Sequence, residues 1–311
     1  MRVAIIGGTG FVGHYLVREL LQRNHEPRLL VRPGSEDRVE GLGKDAIVTG
    51  TVEDQDALNT LLEGADAVIY NIGILRENPK RGITFKTLQQ DAAIGVMAAA
   101  QSQGVRRFLL MSANGIDTLT TPYQRTKWAA EQHLIESTLE WTIFRPSVIF
   151  GDPHGRNEFA SQLARDVIDS PLPAPLFFPG LLALKAGQFE LAPVHVEDVA
   201  NAFVTALDNP QSIGQVYTLC GPEALSWKTI LTRIADTYGR GKLMLPVPAL
   251  GVAAAAKLLD RFESFPITRD QIAMLLQGNT CSHCGLEPLG IDPRPFDTTH
   301  LAYLNERHRP A

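Results

Sequence analysis

Hydrophobic positions in the first half of the chain alternate between two spacings. Short apolar runs rich in β-branched residues predict strands over Arg2–Ile6, Arg28–Val31, Ala46–Thr49, Ala67–Tyr70, Arg107–Met111 and Trp141–Phe144. Between them, apolar residues recur every three or four positions. That period predicts helices over Phe11–Arg23, Asp54–Leu62, Phe85–Gln103 and Tyr123–Ser137. Apolar strands alternating with amphipathic helices imply βαβ units. The expected fold is α/β: a Rossmann-like, doubly wound parallel sheet covered on both faces.

After Gly151 this regularity fades and proline becomes frequent. Helices are expected over Glu158–Ile168, Val196–Leu207, Trp227–Tyr238, Pro248–Leu259, Arg269–Leu276 and Thr298–Asn305. The expected organisation is a nucleotide-binding Rossmann domain over 1–150 and a smaller, mainly helical lobe over 151–311 for substrate or partner. The boundary is soft, because later segments can return to the first domain.

The first strand runs straight into Gly7-Gly8-Thr9-Gly10-Phe11-Val12-Gly13 and then into a helix. In that context the glycines form a dinucleotide-binding fingerprint. Gly7 permits the tight turn, Gly10 lets backbone approach a pyrophosphate, and Gly13 lets the helix pack close to the strand. Thr9, Phe11 and Val12 belong to the same turn and helix start, where unpaired N–H groups and the positive end of the helix dipole favour phosphate. At the end of the second strand, where an acid would bind an NAD ribose, the chain reads Val31-Arg32-Pro33-Gly34-Ser35. The Arg32 guanidinium suits a 2′-phosphate in charge and fork geometry, and Ser35 adds a donor. NADP(H) is therefore favoured over NAD(H), with Glu36 and Asp37 as the counter-indication.

Composition narrows the alternatives. The chain has 311 residues, 44% hydrophobic and 20% charged, with a formal net charge of −5. There is no basic excess to point to nucleic acid as a partner. No apolar run reaches the length of a membrane-spanning helix, and the chain opens on a strand, so no signal peptide and a cytoplasmic location are expected. The apolar segment Leu172–Leu184 is broken by Pro173, Pro175, Pro179 and Gly180 and reads as a buried or lid-like loop. Three cysteines imply a reducing compartment rather than a disulfide framework. Cys281-Ser-His-Cys284 lacks the four ligands of a zinc site and reads as a turn with two ordinary thiols, so no metal is expected.

The chemistry-bearing pattern is Tyr123-Gln-Arg-Thr-Lys127, opening the helix after the fifth strand. Four-residue spacing places both side chains on one helix face. An ammonium beside a phenol favours the phenolate and lowers its pKa. Such a tyrosine can exchange a proton with a carbonyl or hydroxyl while hydride moves. Ser112, at the end of the fifth strand, is placed to orient the same oxygen, with Asn114 as a second candidate.

These motifs occur in the order Gly7-x-x-Gly10-x-x-Gly13, Asn71-Ile72-Gly73, Ser112, Tyr123-x-x-x-Lys127, Phe144-Arg145-Pro146-Ser147-x-x-x-Gly151 and Pro193 to Val199. In this the chain resembles the extended, partly atypical branch of the short-chain dehydrogenase/reductase superfamily. Phe85 to Ser112 and the tail Leu289 to Phe296 are most similar to the nucleotide-binding accessory subunit of respiratory complex I and its bacterial relatives. The resemblance implies bound NADP(H) with its nicotinamide end near Asn71, Ile72, Gly73, Pro146 and Val148. It also implies Tyr123 as acid/base with Lys127 and Ser112 as helpers. One departure is that Thr51 replaces an aspartate the family often uses for adenine, so recognition there falls to backbone or hydroxyl contacts at Thr51 and Val52. Two functions follow as expectations. One is an oxidoreductase acting on a carbonyl, quinone or enone. The other is an NADPH-loaded accessory or assembly factor, with respiratory-complex subunits as partners and peripheral association on the inner membrane face. A sugar-nucleotide epimerase or dehydratase is weaker, because those members usually prefer NAD.

Overall fold

The computed structural model describes residues 1–178, 183–248 and 269–306. Its centre is a seven-stranded, all-parallel sheet. The strands are β1 (Arg2–Ile6), β2 (Glu26–Val31), β3 (Ile47–Thr49), β4 (Ala67–Tyr70), β5 (Arg107–Met111), β6 (Glu140–Pro146) and a further strand, Gln215–Leu219, which pairs with β6. In space the order is Gln215–Leu219, β6, β5, β4, β1, β2, β3. Chain order reverses between β1 and β4, and the crevice beyond the carboxyl ends at such a reversal is where open α/β sheets take ligands. The seventh strand was not anticipated. Its residues grade from exposed at Gln215 to buried at Leu219 rather than forming an apolar run, and it lies at the sheet edge, after a long excursion of the chain.

Contacts divide the molecule into two compact units. The first comprises Met1–Pro146, Val196–Leu219 and Cys284–Asp292, and the second Ser147–His195, Cys220–His283 and Pro293–Ala311. In the first unit, α1 (Phe11–Gln22), α2 (Gln55–Leu62), α3 (Ala92–Ser102) and α4 (Pro122–Glu136) cover the sheet. Leu58, Leu61, Val96, Met97 and Leu134 pack with Val68, Phe108, Leu110 and Ile143, all buried. The helix Val196–Asp208 packs against α1, and its Phe203 stacks on Phe144 of β6 at 4.0 Å. Alternation along each strand sends successive side chains to the two helical layers, hence the continuous burial of β4 and β5. Arg107 of β5 is buried among oxygen acceptors. Its guanidinium donates to Glu140 O, Thr142 Oγ1, Ala206 O and Ser212 Oγ.

The predicted helix Phe85–Gln103 begins differently. Residues Lys86–Asp91 form a π turn, and the α-helix proper starts at Ala92. The Tyr70 hydroxyl donates to Leu88 O at 2.5 Å, inside that wide turn. An apolar period cannot distinguish one inserted residue from a regular helix.

The second unit has its own core of Phe150, Trp227, Ile230, Leu231 and Phe296. Three two-stranded pairs support it: Ile149–Phe150 with Val194–His195, Ala174–Phe178 with Met244–Pro248, and Glu190–Leu191 with Leu225–Ser226. Its helices are Phe159–Leu163 (continuing as a π turn through Ile168), Trp227–Thr237 and Arg269–Gln277. The helix expected over Thr298–Asn305 contracts to Tyr303–Glu306. Of the helix expected over Pro248–Leu259, Pro248 ends the strand Met244–Pro248 and the rest lies outside the described residues, as do Pro179 and Gly180 of the apolar segment. Among the described residues no helix is long and apolar enough to cross a membrane.

The cysteines require a correction. Cys220 and Cys281 are disulfide-bonded across a Cα–Cα distance of 6.2 Å, so the reading of Cys281 as an ordinary thiol does not hold. The backbone explains the pairing. Asn279 N–H donates to Glu190 O and Asn279 O accepts from Ala192 N–H, both at 2.9 Å, while Gly221 N–H donates to Ala192 O. Both cysteine segments are thus laced to residues 190–192. With a sequence separation of 61, no local pattern announces the bond.

Candidate functional site

The glycine turn is built on close approaches. Gly7 has φ +91°, and a Cβ there would lie 2.7 Å from Asn71 O. A Cβ on Gly13 would lie 2.3 Å from Gly7 O and 2.6 Å from Gly8 backbone. Only glycine fits either position without moving main chain. Asn71 N–H donates to Ile6 O at 2.8 Å, and Asn71 Nδ2 reaches Gly7 O at 3.4 Å, so the turn is pinned between the ends of β1 and β4. Gly10 caps α1 with no side-chain acceptor, and no acid lies in the first helical turn. The main-chain donors at Phe11 and Val12 thus receive no side-chain cap from the helix's own start. α2 and α4, by contrast, are capped by Asp54 and by the Thr121–Gln124 capping box. An uncapped helix start after a glycine turn suits a phosphate.

The end of β2 forms a tight turn. Ser35 N–H donates to Arg32 O at 3.0 Å, Gly34 takes φ +78°, and Arg32 is exposed. Glu36 points toward β3, its carboxylate 3.5 Å from Thr49 Oγ1. After β3, Gly50 passes so close to α2 that a Cβ would lie 2.4 Å from Ala57 Cβ. Thr51 is exposed and Val52 half-buried beyond it. Of the two acids of this segment, Glu53 is exposed and Asp54 accepts from Asp56 and Ala57 N–H at 3.1 Å, capping α2.

The residues expected to form the reactive end include several buried polar side chains. Lys127 is almost wholly buried, and its ammonium donates to Met111 O at 2.7 Å and Ile72 O at 3.1 Å, joining the ends of β5 and β4. Ser112 follows Met111. Its N–H donates to Phe144 O at 2.7 Å, and its buried Oγ has no hydrogen-bond partner. Asn114 N–H donates to Pro146 O at 2.9 Å, fixing the end of β6. Gly73 is exposed beyond Ile72. Val148 belongs to the second unit, where its carbonyl accepts from Val194 N–H. Tyr123 lies one turn before Lys127, buried edge-on against Phe85 with ring centroids 5.6 Å apart.

Electrostatics here run against the sequence-based expectation. Burial pushes the Tyr123 phenol up to about 12 rather than down. Burial pulls the Lys127 ammonium down to about 8, with Glu131 opposing that shift. Desolvation disfavours the charged form of each group, and it is what sets the direction of both shifts. The protein thus holds a neutral phenol, a proton donor at neutral pH. Two residues not anticipated also sit here. Gln89 of the π turn is buried, donating to Ile74 O at 2.8 Å and accepting from Thr126 Oγ1 at 3.2 Å. Glu131 is fully buried and paired with Arg145. Its place four residues after Lys127 and eight after Tyr123 was the available signal.

Residues 7–168 match the family model described as NAD(P)H-binding, slightly more than half the chain. The chain belongs to the NAD(P)H-binding family. Among relatives of this family member, the ceramide reductase of Caulobacter vibrioides is 29% identical over 270 residues, covering 86% of this chain and 80% of that protein. The mitochondrial NADH dehydrogenase (ubiquinone) 1 alpha subcomplex subunit 9 of Mus musculus is 26% identical over 316 residues, covering 98% of this chain and 80% of that one. The UDP-glucose 4-epimerase of Thermus thermophilus, solved with NAD, superposes over 100% of both chains with a TM-score of 0.74 at 19% identity, a likeness of fold. The geometry fits the family's ligand. Gly7 and Gly13 form a cradle that side chains would fill, the start of α1 lacks a side-chain cap, and Ser112 carries an orphaned buried hydroxyl.

Proposed function

We propose that this NAD(P)H-binding protein is an NADP(H)-dependent oxidoreductase of the short-chain dehydrogenase/reductase type, reducing a carbonyl, quinone or enone. The observation that carries this reading is the Ser112 hydroxyl. A buried hydroxyl without a partner is costly, and this one follows the carbonyl that anchors Lys127. A substrate oxygen would satisfy it. Tyr123, held neutral by burial, gives its proton to that oxygen, and Lys127 takes a position at the strand ends from which its remaining N–H can bond a ribose hydroxyl. When bound, a reduced nicotinamide supplies the hydride. Gly7, Thr9, Gly10, Phe11, Val12 and Gly13 hold the diphosphate. Arg32 and Ser35 hold the 2′-phosphate, Thr51 and Val52 border the adenine, and Asn71, Ile72, Gly73 and Pro146 border the nicotinamide. Arg32 supports the choice of NADP(H): it is exposed and makes no ion pair among the described residues. Native mass spectrometry of the purified protein, followed by NADPH oxidation assays with a panel of carbonyls, quinones and enones, tests the reading. An NADPH that exchanges and is oxidised by the wild type but not by Tyr123→Phe supports it.

A second reading is an NADPH-holding accessory or assembly factor of a membrane respiratory complex, working in the cytoplasm and at the inner membrane face. Its support is the likeness over nearly the whole chain to the complex I subunits of Mus musculus and Arabidopsis thaliana. The raised phenol, poorly suited to act as a base, agrees with it. One firmly held, non-exchanging NADPH, indifferent to Tyr123→Phe, would decide for this reading.

A further inference from the structure

One charged side chain of the first unit, Glu131, lies deeper than any role so far requires, and the half-buried Arg145 pairs with it. Glu131 has 0% exposure on α4, one turn beyond Lys127 and two beyond Tyr123. That spacing sets Tyr123, Lys127 and Glu131 along one helix face. From β6, Arg145 Nε donates to Glu131 Oε1 at 3.0 Å, and its Nη2 donates to Oε2 at 2.5 Å. The same guanidinium lies over the Trp128 ring, 5.5 Å from its centroid. A buried ion pair often stabilises a fold no better than well-packed apolar residues of the same volume. Stability alone therefore does not explain this pair, but a charge requirement nearby does.

The nearby charge is Lys127. Its two protein partners are neutral carbonyls, which replace only part of the lost hydration. The groups facing it can be enumerated. α4 brings the Tyr123 phenol and the Glu131 carboxylate. β6 brings Arg145, toward which Asp117 of the turn Ile116–Thr118 also acts. The ends of β4 and β5 bring carbonyl oxygens, and the π turn brings the uncharged Gln89. Glu131 is the group that favours the protonated lysine.

We propose that Glu131 and Arg145 are the positioning pair of this site: the Glu131 carboxylate keeps Lys127 cationic, and Arg145 holds that carboxylate on the β6 side, so that the ammonium stays with the strand-end carbonyls. The use of a cationic Lys127 rests on the proposed function, but the pairing itself does not. Arg145 immediately precedes Pro146, so the pair also ties α4 to the end of β6.

The test is a direct titration of Lys127 by NMR in protein labelled at lysine Cε, on wild type, Glu131→Gln, Arg145→Gln and the double variant. Wild-type Lys127 is expected to titrate near 8. Glu131→Gln and the double variant should move it down by about one pH unit or more, because an opposite charge has been removed. Arg145→Gln should move it up, because the carboxylate is left uncompensated. A merely structural pair would lower the melting temperature in every variant without shifts of opposite sign. Unchanged titration in Glu131→Gln overturns the proposal. If that variant does not fold, the double variant, whose two amides can bond each other, and Arg145→Gln decide in its place. NADPH calorimetry on the same samples separates the two readings. A wild type that binds no NADPH, yet shows the opposite lysine shifts, sinks the cofactor reading and leaves the pair's role standing.

Discussion

The two ends of the candidate site are built from opposite materials. The phosphate end is main chain. Gly7, Gly10 and Gly13 present donors through the absence of side chains, and no protein carboxylate caps the first turn of α1. The reactive end is side chain: Ser112, Tyr123, Lys127, Glu131 and Arg145, all or mostly buried, with their charge states set by desolvation and by one another. Backbone donors keep their polarity at any pH and tolerate no added volume. Buried titratable groups tolerate volume better but depend on pH. The first end should therefore fail sterically and the second electrostatically.

The largest expected effect lies at the reactive end. Once a turned-over substrate is known, Tyr123→Phe should lower kcat by about 10²- to 10⁴-fold, the usual contribution of a positioned proton donor. NADPH affinity, measured by calorimetry, should stay within a few-fold. Because the phenol titrates near 12, reduction should remain active through neutral pH, and a limb near 8 should belong to Lys127. Steady-state rates between pH 6 and 10 check this. At the phosphate end, Gly13→Val places carbon against main chain at 2.3 Å. A loss of at least about 3 kcal/mol in stability or nucleotide binding is expected, at the upper end for overpacking. Retained binding with an unchanged melting temperature would contradict the tight cradle.

Lys127 sharpens the comparison through stability. Its folded pKa is lowered from 10.5 to about 8, so between those values the unfolded chain holds more protons than the folded one. The lysine's contribution therefore becomes less unfavourable as pH rises from about 8 to 10.5, by about 3 kcal/mol at most. Subtracting the Lys127→Met stability curve from that of wild type should isolate this rise, and no slope over that window would remove the desolvation account. Next, Arg32→Ala should weaken NADPH about tenfold or more, the order of a lost charge-assisted bond, while leaving NADH unchanged. Equal losses for both nucleotides would remove Arg32 from cofactor choice. The smallest effect is Asp54→Ala, which removes two N-cap bonds from α2 and should cost about 1 kcal/mol, read by denaturant unfolding.

The two ends also differed in how readily the sequence disclosed them. The glycine turn was legible because its requirement is local: a strand, a run of glycines and a helix start adjoin in the chain. Six of the seven strands of the sheet followed from apolar runs for the same reason. Gln215–Leu219 did not, since its partner β6 lies some seventy residues earlier and only one of its five residues is fully buried. Tyr123 and Lys127 were visible as a spacing, but the direction of the phenol's shift was not. That depends on how completely the fold buries the ring, with Phe85 packed edge-on against it. The Cys220–Cys281 bond escaped for a related reason: residues 190–192 bring the two cysteines together, and neither flanking sequence encodes them.

The wide turn at Lys86–Asp91 acts as a phase shifter. An inserted residue rotates everything before it by about 100° relative to the helix that follows. Phe85, which meets Tyr123, lies on the far side of that offset, and Gln89, which meets Thr126, lies within it. Shortening the segment by one residue would leave α3 in place against the sheet while swinging the wall of the Tyr123 pocket out of alignment.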